Sequence, residues 1–120
     1  MTTTSASQGY RTINPATGEL LKSFDNATDQ QIADALDASQ AAYEQWSRKS
    51  VAERAAVVKR ISELLAERSK DIAAVITTEM GKSLGAAVGE VRYSAQIFGY
   101  YADEAEELLA DQPIKQFSGQ

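Results

Sequence analysis

The sequence predicts a mainly α-helical chain with an N-terminal β-hairpin, and three observations carry that expectation. A turn-forming cluster sits between two short β-prone runs near the start. Two helix-start signatures follow it, Thr28 with Gln31 and Ser50 with Glu53. From there to Leu109 the apolar residues recur at spacings of three and four, the period of a helix face.

Residues 10–24, YRTINPATGELLKSF, supply the hairpin. Tyr10 to Ile13 and Leu20 to Phe24 are its strands, and Asn14-Pro15-Ala16-Thr17-Gly18 is its turn. Pro15 presets φ and Gly18 accepts a positive φ without steric cost. A lone two-stranded hairpin is marginal in water, so it must lie on something. Thr28 and Gln31 form a capping box opening a helix over 28–47, with Ile32, Leu36, Ser39, Tyr43 and Trp46 on one face. Ser50 and Glu53 form a second box, opening a helix over 50–68 whose face is Val51, Ala55, Val58, Ile61 or Ser62, and Leu65. Ser69 is placed to cap a third, over 69–80, which carries Ile72, Ala73, Ile76 and Met80 and stops at Gly81, a good residue for the position after a helix. The joints are only a few residues long, which predicts closely packed neighbours.

The fourth helix, over 84–109, is the longest. Leu84, Val88, Val91, Ala95, Phe98, Ala102, Ala105 and Leu109 alternate steps of four and three, a heptad-like seam. Beside it runs a second stripe in steps of four: Gly85, Gly89, Tyr93, Ile97 and Tyr101. A helix with two apolar faces needs partners on both. Glycine costs a helix interior about 1 kcal/mol against alanine, so two glycines on one stripe imply that something approaches them closely.

Composition narrows the function. The 120 residues are 43% apolar, enough for one domain with a core, and carry a formal charge of −5. That charge argues against a nucleic-acid partner, which would need a basic stripe. No apolar run reaches the ~18 residues of a membrane span, and MTTTSASQG has neither the basic nor the apolar region of a signal peptide. The expectation is a soluble, cytoplasmic protein with no membrane contact. Residues 1–9 read as a disordered polar start. The chain has no cysteine and no histidine, which removes a thiolate nucleophile, the usual general base and the common transition-metal ligands. No metal site, catalytic residue or cofactor-binding residue is assigned, and no glycine-rich phosphate loop follows a strand. After Leu109 comes ADQPIKQFSGQ, in which Pro113 stops the helix and 113–120 reads as a linker cut short. A hairpin with no sheet to join and an uncapped end together predict an incomplete chain.

Three segments, INPATGELL, the run from Trp46 through ERAAVVKRISELLAERSKDIAAVITTEMGKSL, and GEVRYSAQIFGYYADEAEELL, in that order and spacing, resemble the start of the NAD(P)-dependent aldehyde dehydrogenases. Within that superfamily they look most like the succinate-semialdehyde dehydrogenase branch. The resemblance implies an N-terminal fragment of the α/β aldehyde dehydrogenase fold, with residues 10–112 as the hairpin and helices of an incomplete coenzyme-binding domain. It implies an oxidoreductase that turns an aldehyde, such as succinate semialdehyde, into the acid with NAD or NADP. It also implies a homo-oligomer in the complete enzyme, and the remainder of the same subunit as this chain's partner. The family's nucleophilic cysteine, glutamate base, oxyanion-stabilising asparagine and NAD-binding motif lie further along, so the chain alone is expected to be inactive and to bind no cofactor.

By the same resemblance, Gly89, Tyr93 and Ile97 match positions facing the tunnel by which aldehyde reaches the cysteine. The alternative is that Tyr93 and Ile97 are core residues packed against the rest of the subunit. Arg92, the one cation among the aromatics of the fourth helix, is a candidate for an anionic substrate group or an ordinary surface or ion-pair residue. Glu79, Lys82 and Glu90 read as a solvated turn, and Asp103, Glu104, Glu106 and Glu107 as a solvated helix face. The competing class is a self-contained helical interaction module, for which the heptad-like seam is the best evidence.

Overall fold

The structure is a computed structural model that describes residues 9–114. The polar start, apart from Gly9, and the linker beyond Ile114 lie outside the described residues; Pro113 and Ile114 are in neither helix nor strand. Strands β1 (Tyr10–Ile13) and β2 (Leu20–Phe24) pair antiparallel, Tyr10 opposite Phe24 and Thr12 opposite Lys22. The register then shifts so that Ile13 faces Leu20, leaving Leu21 as the extra residue of a bulge. The turn closes as its residues dictate. Ala16 N–H donates to Asn14 Oδ1 at 2.9 Å and Gly18 N–H to Asn14 O at 2.8 Å, with Gly18 at φ +74°.

Helices follow at α1 (Asp29–Trp46), α2 (Val51–Glu67), α3 (Ser69–Met80) and α4 (Leu84–Leu108). Both capping boxes form: Thr28 Oγ1 accepts from Gln31 N–H at 3.2 Å while Gln31 Oε1 accepts from Thr28 N–H at 2.9 Å. Ser50 and Glu53 repeat the exchange at 3.2 and 2.8 Å. Gly81 ends α3 at φ +72°, its N–H donating to Thr77 O. Ser69 does not cap α3. Arg68 alone separates α2 from α3, closing one helix through Leu64 O and opening the next by accepting from Ile72 N–H. With the turn made in one residue, Ser69 is drawn into the helix and buried.

The core lies where α3 and the antiparallel α2 cross α4. Ala73, Ala87 and Val91 are buried there, with Leu65, Ile72, Ile76 and Val88 packed against them. The buried row of α4 is Ala87, Val91, Ala95 and Gly99, a strict step of four, and not the heptad-like seam expected. Val91 and Ala95 belong to both patterns, but Leu84, Phe98 and Leu109 are exposed. The reason is close approach. Ser62 Oγ donates to Ala95 O at 2.7 Å, and a Cβ at Gly99 would stand 3.1 Å from that hydroxyl. Small residues let the backbones meet, so Ser62, and not the more exposed Ile61, faces α4. Lys59 and Asp103 pair across the same two helices at 2.6 Å.

The hairpin rests on the α3–α4 joint, where Pro15 sits so close to Gly81 that a Cβ there would be 3.0 Å from the proline ring. Despite its short joint to α2, α1 makes no extended packing against the other elements; only its end, at Trp46, comes beside α2 and α4, and none of its residues is buried. The expected close packing therefore fails at α1. Its apolar face meets no complementary face within the described residues. The radius of gyration, 22.0 Å, against about 13 Å for a compact domain of roughly 100 residues, records the splay.

Candidate functional site

The exposed side of α4 carries the stripe of interest. Gly85 and Gly89 open onto empty space, with no atom within 4 Å of where a Cβ would be. One, two and three turns beyond Gly89 the stripe becomes Tyr93, Ile97 and Tyr101, all exposed. Tyr93, Gln96, Ile97, Tyr100 and Tyr101 line one shallow hollow, in which Tyr100 and Tyr101 meet edge to face at 5.3 Å. The structure thus brings Gly89, Tyr93 and Ile97 onto one face. No second wall stands opposite them among the described residues, so the expected close approach to the glycines comes from nothing described.

Arg92 lies apart from that stripe. It lines a separate hollow between α2 and α4 with Ser62, Gly99 and Asp103, is exposed, and makes no ion pair among the described residues. Lys82 pairs with Glu90 while Glu79 stays outside the pair, a surface arrangement with no acid–base partner. Among the described residues no three His, Cys, Asp or Glu side chains cluster to hold a metal, and no helix is long and apolar enough to cross a membrane.

A dinucleotide does not fit what is described. Its pyrophosphate needs a strand that turns through glycines into a helix N-terminus. Here both strands pair only with each other. The one helix start preceded by a positive-φ glycine, that of α4, follows a helix and has its Lys82 engaged by Glu90.

Two features escaped the sequence reading. One is the close Ser62–Gly99 crossing. The other is Arg54, whose Nε is enclosed without a hydrogen-bond partner among the described residues. A cation in the first turn of α2, between Val51, Ala55 and Val58, runs against the helix dipole and was the available signal.

Among the described residues, then, α4 keeps an open apolar face and the hairpin joins no larger sheet. The family model described as the aldehyde dehydrogenase family matches residues 2–120, and the chain belongs to that family. It is 38% identical over 105 residues to a succinate-semialdehyde dehydrogenase [NADP(+)] of Deinococcus radiodurans, a match covering 88% of this chain and 22% of the relative. It is 42% identical over 102 residues to succinate-semialdehyde dehydrogenase [NADP(+)] 1 of Mycobacterium tuberculosis, covering 85% and 22%. The crystal structure of succinic semialdehyde dehydrogenase from Streptococcus pyogenes in complex with NADP+ superposes with a TM-score of 0.85 at 39% identity, covering 92% of this chain and 25% of that one. The chain thus spans about 22% of the length of these curated relatives and corresponds to their N-terminal part.

Proposed function

We propose that these residues serve as the N-terminal segment of an NAD(P)-dependent aldehyde dehydrogenase subunit that oxidises succinate semialdehyde to the acid. In this reading residues 10–112 belong to the coenzyme-binding domain and 113–120 begin the linker beyond it. The subunit is cytoplasmic and assembles into a homo-oligomer. The observation that carries the reading is the open face of α4, in a chain whose shape superposes on a succinic semialdehyde dehydrogenase at a TM-score of 0.85. The 120 residues hold no cysteine, so the covalent thiohemiacetal and thioester steps of such an oxidation fall to residues outside them, as does binding of the dinucleotide.

The contribution of this chain is positional. Gly89, Tyr93 and Ile97 form the near wall of the aldehyde tunnel: Gly89 leaves room for the substrate, Tyr93 shapes the entrance and Ile97 keeps the wall apolar. The second reading, in which Tyr93 and Ile97 are buried against the rest of the subunit, draws on their continuity with the exposed Phe98 and Tyr101.

The test is a chimera in which this chain replaces the matched 105 residues of the D. radiodurans relative. The chimera should form NADPH from succinate semialdehyde and NADP+, and the isolated chain should form none. A folded but inert chimera, or NADPH formation by the isolated chain, would sink the proposal.

A further inference from the structure

An apolar groove of about 240 Å³ runs between the end of α1, the first turns of α2 and the last turns of α4, lined by Trp46, Arg54, Val58, Tyr101, Ala105 and Leu109 among others. Its walls are hydrocarbon and aromatic except for one cation. Arg54 Nε is enclosed and has no hydrogen-bond partner among the described residues, and Arg54 enters none of the ion pairs found there. Two acids on the same helices are engaged elsewhere, Glu53 with the Ser50 cap and Lys49 and Asp103 with Lys59, and Glu104, half-buried on α4, forms no ion pair with Arg54. A guanidinium does not lose its proton in a protein, so this charge persists whatever happens to the groove.

That persistence constrains what covers it. Trp46, Tyr101 and Leu109 are exposed along the groove, and closing over them favours burial. Closing the groove also buries Arg54. An unpaired buried charge costs more than such apolar contacts return, so the covering group must bring an anion. A carboxylate suits the planar fork best, accepting from the two terminal nitrogens, since Nε is already enclosed. On the reading that the rest of the subunit closes this face, on which this step rests, we infer that a polypeptide segment of the same subunit, outside this chain, docks here. It sets an apolar side chain in the groove and an Asp or Glu carboxylate on Arg54.

The experiment uses the chimera described above beside the isolated 120-residue chain, each carrying Arg54, Arg54→Met or Arg54→Lys. In the chimera, Arg54→Met should lower the midpoint of thermal inactivation by several degrees, and Arg54→Lys should recover only part of that loss, because it keeps the charge but not the fork. In the isolated chain, where the enclosed Nε has no partner among the described residues, Arg54→Met should leave the urea midpoint measured by far-ultraviolet dichroism unchanged or raise it, because it removes an unsatisfied donor. Equal effects of Arg54→Met in chimera and isolated chain would overturn the docking. An Arg54→Met chimera as stable as the wild type would overturn the carboxylate, because a buried carboxylate left without its cation is costly. A wild-type chimera that neither folds nor turns over would overturn the parent reading and this inference with it.

Discussion

Gly81, Gly85 and Gly89 stand four residues apart, yet physics treats them differently. Gly81 sits at φ +72° with the Pro15 ring 3.0 Å from any added Cβ, so both its backbone and its space require glycine. Gly81→Ala should cost about 1–2 kcal/mol for the left-handed conformation alone, with a further loss as Pro15 is pushed away. Gly85 and Gly89 lie inside α4 with ordinary backbone and empty space beside them. In the isolated chain Gly85→Ala and Gly89→Ala should each raise helix stability by up to about 1 kcal/mol, read from urea midpoints by dichroism. A loss at either position would show that a neighbour within this chain already needs the space. On the proposal that Gly89 faces the aldehyde tunnel, Gly89→Leu in the active chimera should lower kcat/KM for succinate semialdehyde while leaving the fold intact. Unchanged kcat/KM would favour packing over the tunnel.

At the level of elements, local chemistry sets the boundaries and tertiary contact sets the faces. Thr28 with Gln31, Ser50 with Glu53, and Gly81 were legible in the sequence because each cap is formed by residues three or four apart. The helices accordingly begin and end within a residue of the expected positions. The buried row of α4 was not legible. Two apolar stripes compete on that helix, and the choice rests on Gly99 meeting Ser62, 37 positions earlier in the chain. The candidate stripe Gly89, Tyr93 and Ile97 was legible as spacing, but its use depends on atoms these residues do not supply. Because α1 has little tertiary packing beyond Trp46 at its end, its cap should matter more than usual. An 18-residue helix with so little tertiary support is marginal in water. Thr28→Ala should therefore melt α1 while α2 to α4 persist, as amide exchange by NMR would report. On α2, the Ser50 backbone N–H, then the Ser50 hydroxyl and Lys49, hold the Glu53 carboxyl below its ordinary 4.5. A depressed carboxyl pKa stabilises the fold fully above the unfolded value, and the benefit fades as pH falls through the folded value. Helicity at the start of α2 should thus decline below about pH 4.5, and Glu53→Gln, which keeps the cap without the charge, should flatten that decline.

The whole molecule exposes what a domain of this length ordinarily buries. Tyr93 is 64% exposed, Tyr101 58% and Trp46 40%, while the only buried apolar side chains are Ala73, Ala87, Val91 and Ala95 among the described residues. Each large apolar side chain left in water forgoes ~1.5–3 kcal/mol of burial free energy. Since native domains hold only ~5–15 kcal/mol in total, two or three such losses remove most of the margin. The local terms survive, because capping and helix hydrogen bonds need no partner. Helices should therefore persist where tertiary cooperativity does not. The isolated chain should show a helical far-ultraviolet dichroism spectrum, bind a hydrophobic dye, unfold over a broad thermal range and self-associate as its concentration rises. In the folded chimera the same residues should lose their dye binding and melt with the enzyme. A sharp, reversible melt of a monomeric isolated chain with no dye binding would instead favour a self-contained helical module, whose apolar stripes need nothing beyond these residues.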